Sequence, residues 1–411
     1  MLRTLLSVGG GAFSLAAVTF FQSMPAHAFV PDRYDITDLG TLGGESSLAY
    51  GLNETGDVVG VSEGADGVNR AFVWSDGSMK TLPDLGFGGV AYDINNSGDI
   101  TGALSTGIDY VRPWDGRSSS VDNVALWQDG QQLVNLGNLG GLPRGEGRAI
   151  AEDGWIVGTA SAPLPDVPGE DIWQRAFVSV PGSNSVLNDA GTFPGDIRSF
   201  IFDLNTAKQA PGFSVSDNRG GPAATDAGLW QFNSDGSIQS ITPLEALAPD
   251  QTSVALGIND AGEVVGRSAT ADGQNVTVYW GARETSPELL PVLTEDPGTY
   301  VRAWQINNQS LAVGELRNAT DTERFATLWA KNADEWKNID LQTLIPTESG
   351  WDLSGALSIN DAGQIVGYGV VDNQQRAFLL TPEAVPEPSA VTAVIVTVCL
   401  GLFIRRSATD D

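Results

Sequence analysis

Residues 91–102 read Ala91-Tyr92-Asp93-Ile94-Asn95-Asn96-Ser97-Gly98-Asp99-Ile100-Thr101-Gly102, and the phrase returns as Gly257-Ile258-Asn259-Asp260-Ala261-Gly262-Glu263-Val264-Val265-Gly266. Leu52 to Gly60 and Ile359 to Gly367 follow the same form. Three copies are degenerate: Ala151 replaces the asparagine in one, and Lys208 and Ser310 replace the glycine in two others. The anchor positions are 53, 95, 151, 205, 259, 307 and 360, spaced 42 to 56 residues apart. Repeats of this length suit the blade of a β-propeller, in which each unit buries its faces against its neighbours.

Each unit reads as strands. The first ends at the asparagine, whose side chain can cap a tight turn while the glycine three residues on takes positive φ. The second is β-branched, as in Val58-Val59 or Val264-Val265, and closes on a glycine. The third carries Arg70-Ala71-Phe72, Arg175-Ala176-Phe177 or Arg376-Ala377-Phe378, or keeps a tryptophan at Trp74, Trp127, Trp230, Trp280 or Trp329. The fourth carries Leu-x-x-Leu-Gly, as in Leu82 to Gly86 and Leu133 to Gly137.

The last unit stops near Leu380 without a fourth strand. A spare one, Ile36-Thr37-Asp38-Leu39-Gly40-Thr41-Leu42-Gly43-Gly44, precedes the first unit. An open solenoid would leave both ends ragged, whereas a ring pairs them. The expected fold is therefore all-β, a seven-bladed propeller closed by an N-terminal strand. The expected domains are a signal peptide over 1–28, the repeats over 29–383 and a sorting or anchor segment over 384–411.

Both ends read as export signals. Arg3 precedes an apolar stretch from Leu5 to Phe21, and Ala26-His27-Ala28 supplies the small residues at Ala26 and Ala28 that signal peptidase needs. Near the other end Pro386-Glu387-Pro388 stands before the apolar run Ser389 to Ile404, closed by Arg405-Arg406. The run is shorter than the roughly 20 residues of a comfortable span, and the arginines should stay cytoplasmic. This arrangement resembles the PEP-CTERM sorting tail of Gram-negative bacteria, although the chain continues past the arginines with five more residues, Ser407 to Asp411. The resemblance implies processing by exosortase-type machinery, an inner-membrane tether during sorting, and delivery to the cell surface or beyond. The repeats resemble the HAF extracellular repeat family, with arginine in place of its histidine at Arg70, Arg175 and Arg376. That family implies a secreted repeat protein and transfers no catalytic residue.

Composition excludes several chemistries. The one histidine, His27, lies in the expected leader, and the one cysteine, Cys399, lies in the tail. The domain between them has no disulfide, no Cys or His metal ligand, no cysteine nucleophile and no histidine base. With 22 Lys+Arg against 51 Asp+Glu, a formal charge of −29 repels nucleic acid, uronic acids and anionic lipids unless divalent cations intervene. No cofactor is expected. Calcium is the weaker reading, because one Asn-x-x-Gly turn offers about two or three of the six to eight oxygens required. The acidic loops Asp166 to Asp171 and Asp321 to Glu323 are better cation candidates.

Trp304 aligns with Tyr50 and Tyr92 in the first strand and reads as packing. Trp114 and Trp351 fall in connections, where an aromatic either packs locally or stacks on a ligand such as a sugar ring. The Arg-Ala-Phe arginines read as structural, each with a partner such as an inter-blade carboxylate. Two functions compete, beside a third reading as a purely structural spacer that the sequence does not separate from the first. One is a non-enzymatic surface or matrix module that binds exopolysaccharide or another surface protein. The other is a carboxylate-dependent hydrolase or lyase acting on carbohydrate, for which spacing nominates no acid pair.

Overall fold

The computed structural model describes residues 30–111, 118–140, 144–162, 173–182, 186–216, 225–293, 300–318, 320, 322–332 and 335–383. They form seven four-stranded antiparallel sheets, one per sequence repeat. The inner strands are Gly43–Leu52, Gly89–Ile94, Gly145–Ile150, Asp196–Ile201, Ser253–Ile258, Tyr300–Ile306 and Asp352–Ile359, defining blades 1 to 7 in chain order. Seven hydrophobic clusters fill the seven blade interfaces, so each sheet buries both faces only because the circle is complete. No helix of the described residues is long and apolar enough to cross a membrane.

Closure occurs where the ends of the repeat array predict it. Tyr34–Asp38 pairs antiparallel with Gln374–Pro382, with Ile36 opposite Leu380, and becomes the outer strand of blade 7. Arg376 lies 3.8 Å from Asp38. In blade 1 Arg70 lies 3.7 Å from Asp84, and in blade 3 Arg175 lies 3.2 Å from Asp189. The partner is thus a carboxylate at or just beyond the outer strand of the same blade, not one across a blade interface as expected. Asp38 occupies the equivalent place in the last blade, so the N-terminal strand stands in for the missing repeat down to its ion pair.

The anchor asparagines do two jobs. Their Oδ1 accepts backbone N–H groups two and four residues on, as Asn53 does from Thr55 at 3.1 Å and Asp57 at 2.9 Å. The glycine of each turn takes positive φ, and where glycine is missing Lys208 and Ser310 do so at 61° and 57°. The asparagine Nδ2 meanwhile donates to the anchor carbonyl of the next blade. Asn53 reaches Asn95 at 3.3 Å, and Asn95 reaches Ala151 at 3.1 Å. Asn205 reaches Asn259 at 3.1 Å, Asn259 reaches Asn307 at 3.0 Å, and Asn307 reaches Asn360 at 2.9 Å. Asn360 returns to Asn53 at 3.0 Å. A parallel circuit runs one residue further on, where a backbone N–H meets the side chain of the following blade, as from Asp361 to Glu54 at 3.0 Å.

The first circuit lapses between blades 3 and 4, because Ala151 has no amide to offer. There Lys208 Nζ pairs with Asp153 at 2.6 Å and lies 5.0 Å from the centre of the Trp155 ring, joining the two blades by another route. Ala151→Asn is expected to complete the ring and raise stability by about 1 kcal/mol, the net value of one buried hydrogen bond. Thermal melts of the pair check it, and an unchanged or lower midpoint would show that the Lys208 contact already suffices.

Four of the five repeat tryptophans, Trp127, Trp230, Trp280 and Trp329, are fully buried, and each donates its Nε1–H to a carbonyl at 2.7–3.1 Å. Trp74 is half-buried against the interface between blades 7 and 1.

Candidate functional site

Each inner strand faces the central axis, and six of the seven bulge at one repeat position. Register slips across Ala49/Gly51, Ala91/Asp93, Gly147/Ala149, Ala255/Gly257, Ala303/Gln305 and Ala356/Ser358. The residue inside each bulge leaves the ladder and turns toward the axis. These are Tyr50, Tyr92, Arg148, Leu256, Trp304 and Leu357, and blade 4 adds Phe202 just past its inner strand. Together they line an axial cavity of about 140 Å³. That is small beside the roughly 300–1,000 Å³ of a drug-sized ligand site, so it suits one end group rather than a length of chain.

The repeat glycine lies inside each second strand, not at its end as expected, because the strand runs on past it beside the inner strand. At Gly60, Gly102, Gly158, Gly212, Gly266, Gly314 and Gly367 an added Cβ would overlap a carbonyl oxygen of the facing inner strand. The Val-Val-Gly motif is therefore a packing requirement of the bulge and not of a turn.

Aromatic and cationic contacts order the cavity wall and the side chains directly behind it. Tyr50 and Tyr92 meet edge to face with centroids 5.2 Å apart. The Arg148 guanidinium lies 4.2 Å from the centre of the Tyr92 ring and is hydrogen-bonded to Glu146. The Arg302 guanidinium lies 4.3 Å from the centre of the Trp304 ring.

One layer nearer the asparagine turns lie Asp93, Asp203, Gln305 and Ser358, followed by a wider mouth of about 280 Å³. Glu54, Glu152, Asp260 and Asp361 belong to that mouth, and each accepts a backbone N–H from the preceding blade. Asp93 accepts from Ile94 at 2.9 Å and from Ile150 in blade 3 at 2.8 Å. Asp203 accepts from Leu204 at 2.8 Å and from Ile258 in blade 5 at 3.0 Å. Each carboxylate thus bridges two blades with one oxygen apiece.

Burial pushes the Asp93 carboxyl up to about 8, helped by the charge of Asp203 and opposed by its backbone donors. Burial also raises Asp203, to about 6. An aspartate whose folded pKa lies above its unfolded value of about 3.9 binds its proton more tightly when folded. Its contribution to stability is therefore full below pH 4 and is lost as pH rises toward 8. The melting temperature is expected to fall between pH 5 and 8, and Asp93→Asn is expected to flatten that slope. Equal slopes in the two proteins would remove Asp93 as the source.

The expected site residues fare differently. Ala26, Ala28, Trp114, Pro386, Glu387, Pro388, Arg405 and Arg406 lie outside the described residues, as do Asp166 to Asp171. Trp351 is not a ligand platform: it is 9% exposed and packs edge-on against Phe378 at 6.0 Å, in the core between blades 6 and 7. Among the described residues no group of three or more Asp, Glu, His or Cys could hold a metal ion. Trp304, expected as packing, instead lines the axial cavity with Tyr50 and Tyr92. One signal for that row was present. The position reads Tyr, Tyr, Arg, Phe, Leu, Trp and Leu among neighbours that repeat closely, as expected of side chains released from a shared packing duty.

Residues 138–383 match the family described as "Protein of unknown function (DUF3466)". The chain belongs to the DUF3466 family. No curated protein matches this DUF3466 member. Among solved structures it is similar to a puromycin hydrolase, at 10% identity and a TM-score of 0.54 over 86% of this chain and 55% of that one. It is also similar to a puromycin-hydrolyzing peptidase of Mycobacterium tuberculosis, at 12% identity and a TM-score of 0.50 over 87% and 53%. The chain spans about half the length of either, and the likeness is one of fold alone.

Proposed function

We propose that this DUF3466 member is an exported, non-enzymatic module of the cell surface or extracellular matrix that takes an exopolysaccharide end group in its axial cavity. The observation that carries the reading is the convergence of Tyr50, Tyr92, Phe202 and Trp304, from four different blades, on one small polar-walled cavity. Aromatic faces with a polar rim are what a sugar ring stacks on. Export rests on Ala26-His27-Ala28 and on Pro386-Glu387-Pro388 with its apolar run and Arg405-Arg406. Those features support passage through exosortase-type sorting to the Gram-negative surface, and they fit the HAF-like character of the repeats. Glycan arrays on the purified protein, with and without calcium, test it. Binding to matrix polysaccharide is expected, weakened at least about fivefold in Trp304→Ala and Tyr92→Ala by loss of about 1–3 kcal/mol of stacking. No binding in either condition rejects the reading.

One observation favours a second reading, a carboxylate-dependent hydrolase or lyase. Asp93 and Asp203 line the same cavity, and burial raises the Asp93 carboxyl to about 8, the direction a general acid needs. Against it, both oxygens of each are occupied by backbone donors that hold the blades together. Release of reducing ends from polysaccharide, lost in Asp93→Asn and Asp203→Asn, would establish catalysis. Absence of turnover by the unaltered protein would dismiss it.

A further inference from the structure

We propose that the wall of the axial site on blade 6 is a receptor for a compact oxyanion, held between the Arg302 guanidinium and the indole N–H of Trp304. In the reading above, on which this rests for its ligand, that oxyanion is the carboxylate of an acidic sugar.

The starting point is a mismatch between supply and pairing. Acidic residues outnumber basic ones by more than two to one, so an arginine in this protein finds a carboxylate easily. Arg70, Arg148, Arg175, Arg317 and Arg376 all have one within ion-pair distance. Arg302 has none among the described residues, and its buried Nε makes no hydrogen bond. Its contacts are the faces of Tyr300, at 4.9 Å, and Trp304, at 4.3 Å. The two rings hold the guanidinium and leave its N–H edge for a planar acceptor.

Trp304 repeats the pattern. Four buried tryptophans of the repeat donate Nε1–H to a carbonyl, whereas the Trp304 Nε1 is buried without an acceptor. The neighbouring blade adds positive charge from Arg267, and opposite Arg267 on the next strand Thr277 is 0% exposed with its Oγ1 unpaired. Glu315, which faces Arg302 across the strand pair, offsets part of its charge but makes no ion pair with it. Its oxygens are taken by Arg317 at 2.9 Å and by the Tyr368 hydroxyl at 2.9 Å. Burial and the charge of Arg267 lower Arg302 to about 10, so it remains cationic at neutral pH.

A buried donor without an acceptor costs about 1–3 kcal/mol, more when charged. Two such donors lie on one stacked residue pair, of which Trp304 lines the cavity and Arg302 sits behind it, where the cations Arg267, Arg302 and Arg317 outnumber the one carboxylate Glu315. A carboxylate or phosphate oxygen satisfies both and neutralises the charge, which a neutral hydroxyl does not. The overall charge of −29 does not forbid this, because surface charges are screened over about 8 Å at physiological salt, whereas Arg302 acts at contact. The expected exclusion of uronic acids is thereby reversed locally.

Calorimetric titration of the purified protein at fixed ionic strength with sodium glucuronate, glucose and inorganic phosphate tests the proposal. Glucuronate is expected to bind at least tenfold more tightly than glucose. Arg302→Gln should weaken glucuronate at least tenfold, Arg302→Lys by less, and Trp304→Phe, which keeps a ring and loses the N–H, by about threefold or more. Melting curves show whether Arg302→Gln folds, and if it does not, the other two variants decide. Phosphate binding that depends on Arg302 without binding of either sugar would uphold the oxyanion site and reject the polysaccharide reading. Glucose and glucuronate binding alike would overturn the oxyanion site and leave that reading standing, as would glucuronate affinity unchanged in the variants. No heat with glucuronate or phosphate overturns the proposal outright.

Discussion

Deletion of residues 34–39 is expected to cost the protein its single cooperative unfolding transition. The segment supplies the outer strand of blade 7 and buries Tyr34 and Leu39 at 0% and 4% exposure, in the clusters that join blade 7 to its two neighbours. Without it, Gln374–Pro382 loses its outer partner and the blade 7–blade 1 cluster loses Leu39, so blade 7 is held to blade 1 by the remaining packing of Val366, Ala377 and Leu379, the Ala377–Ser47 hydrogen bond and the turn circuits through Asn360 and Asp361. Tyr34→Ala gives a graded version. Truncating a buried aromatic costs about 3–5 kcal/mol. At about 2 °C per kcal/mol for a domain of this size, the midpoint should fall by about 6–10 °C. Tyr34→Phe should be neutral or mildly stabilising, because the Tyr34 hydroxyl is buried without a partner. Calorimetry and size-exclusion chromatography read all three variants. A deletion that melts within a few degrees of the parent, at the same elution volume, would mean that the ring does not depend on this strand.

Gly314→Ala is expected to be nearly as damaging and to reach the axial site. Its Cβ would overlap the Arg302 carbonyl oxygen and come within 2.9 Å of the Trp329 ring. Neither can retreat cheaply, since Trp329 is fully buried and Arg302 lies next to the bulged pair Ala303/Gln305. The strand must shift, at a cost of about 1–3 kcal/mol or more, and Arg302 and Trp304 move with it. Both a lower melting point and weaker glucuronate binding are therefore expected. Trp74→Ala, in a half-buried position remote from blade 6, should cost stability and leave binding alone. Loss of stability in Gly314→Ala with unaltered binding would separate the glycine from the site.

The ring of anchors was legible because it is local. Asn259 and Gly262 lie three residues apart, and their turn needs only a side-chain acceptor and a positive φ. The closing strand was legible for a similar reason, since Asp38-Leu39-Gly40 repeats Asp84-Leu85-Gly86 and the last unit lacks that phrase. The arginine partners were half legible. A carboxylate was foreseen at Arg70, Arg175 and Arg376, but the strand that supplies it was misplaced, because pairing within a blade and packing between blades leave the same residues in a list. Trp351 stands open in the sequence between packing and stacking, and the structure decides for packing. Its glycine- and serine-containing neighbourhood reads as an exposed connection, yet that connection folds back under blade 7 against Phe378.

What the order of residues determined alone was the count of blades, the turn at each anchor and the strand that joins the ends, since each depends on contacts within one unit or on the tally of units. What only the tertiary structure decided was the inside of the ring. Tyr50, Tyr92, Arg148 and Trp304 lie in four blades, tens to hundreds of residues apart in the chain, and nothing in their spacing says that a bulge turns each one onto a common axis. The unpaired state of Arg302 is likewise a property of three-dimensional surroundings, because a chain this rich in carboxylates would lead one to expect a partner that the packing of blade 6 withholds.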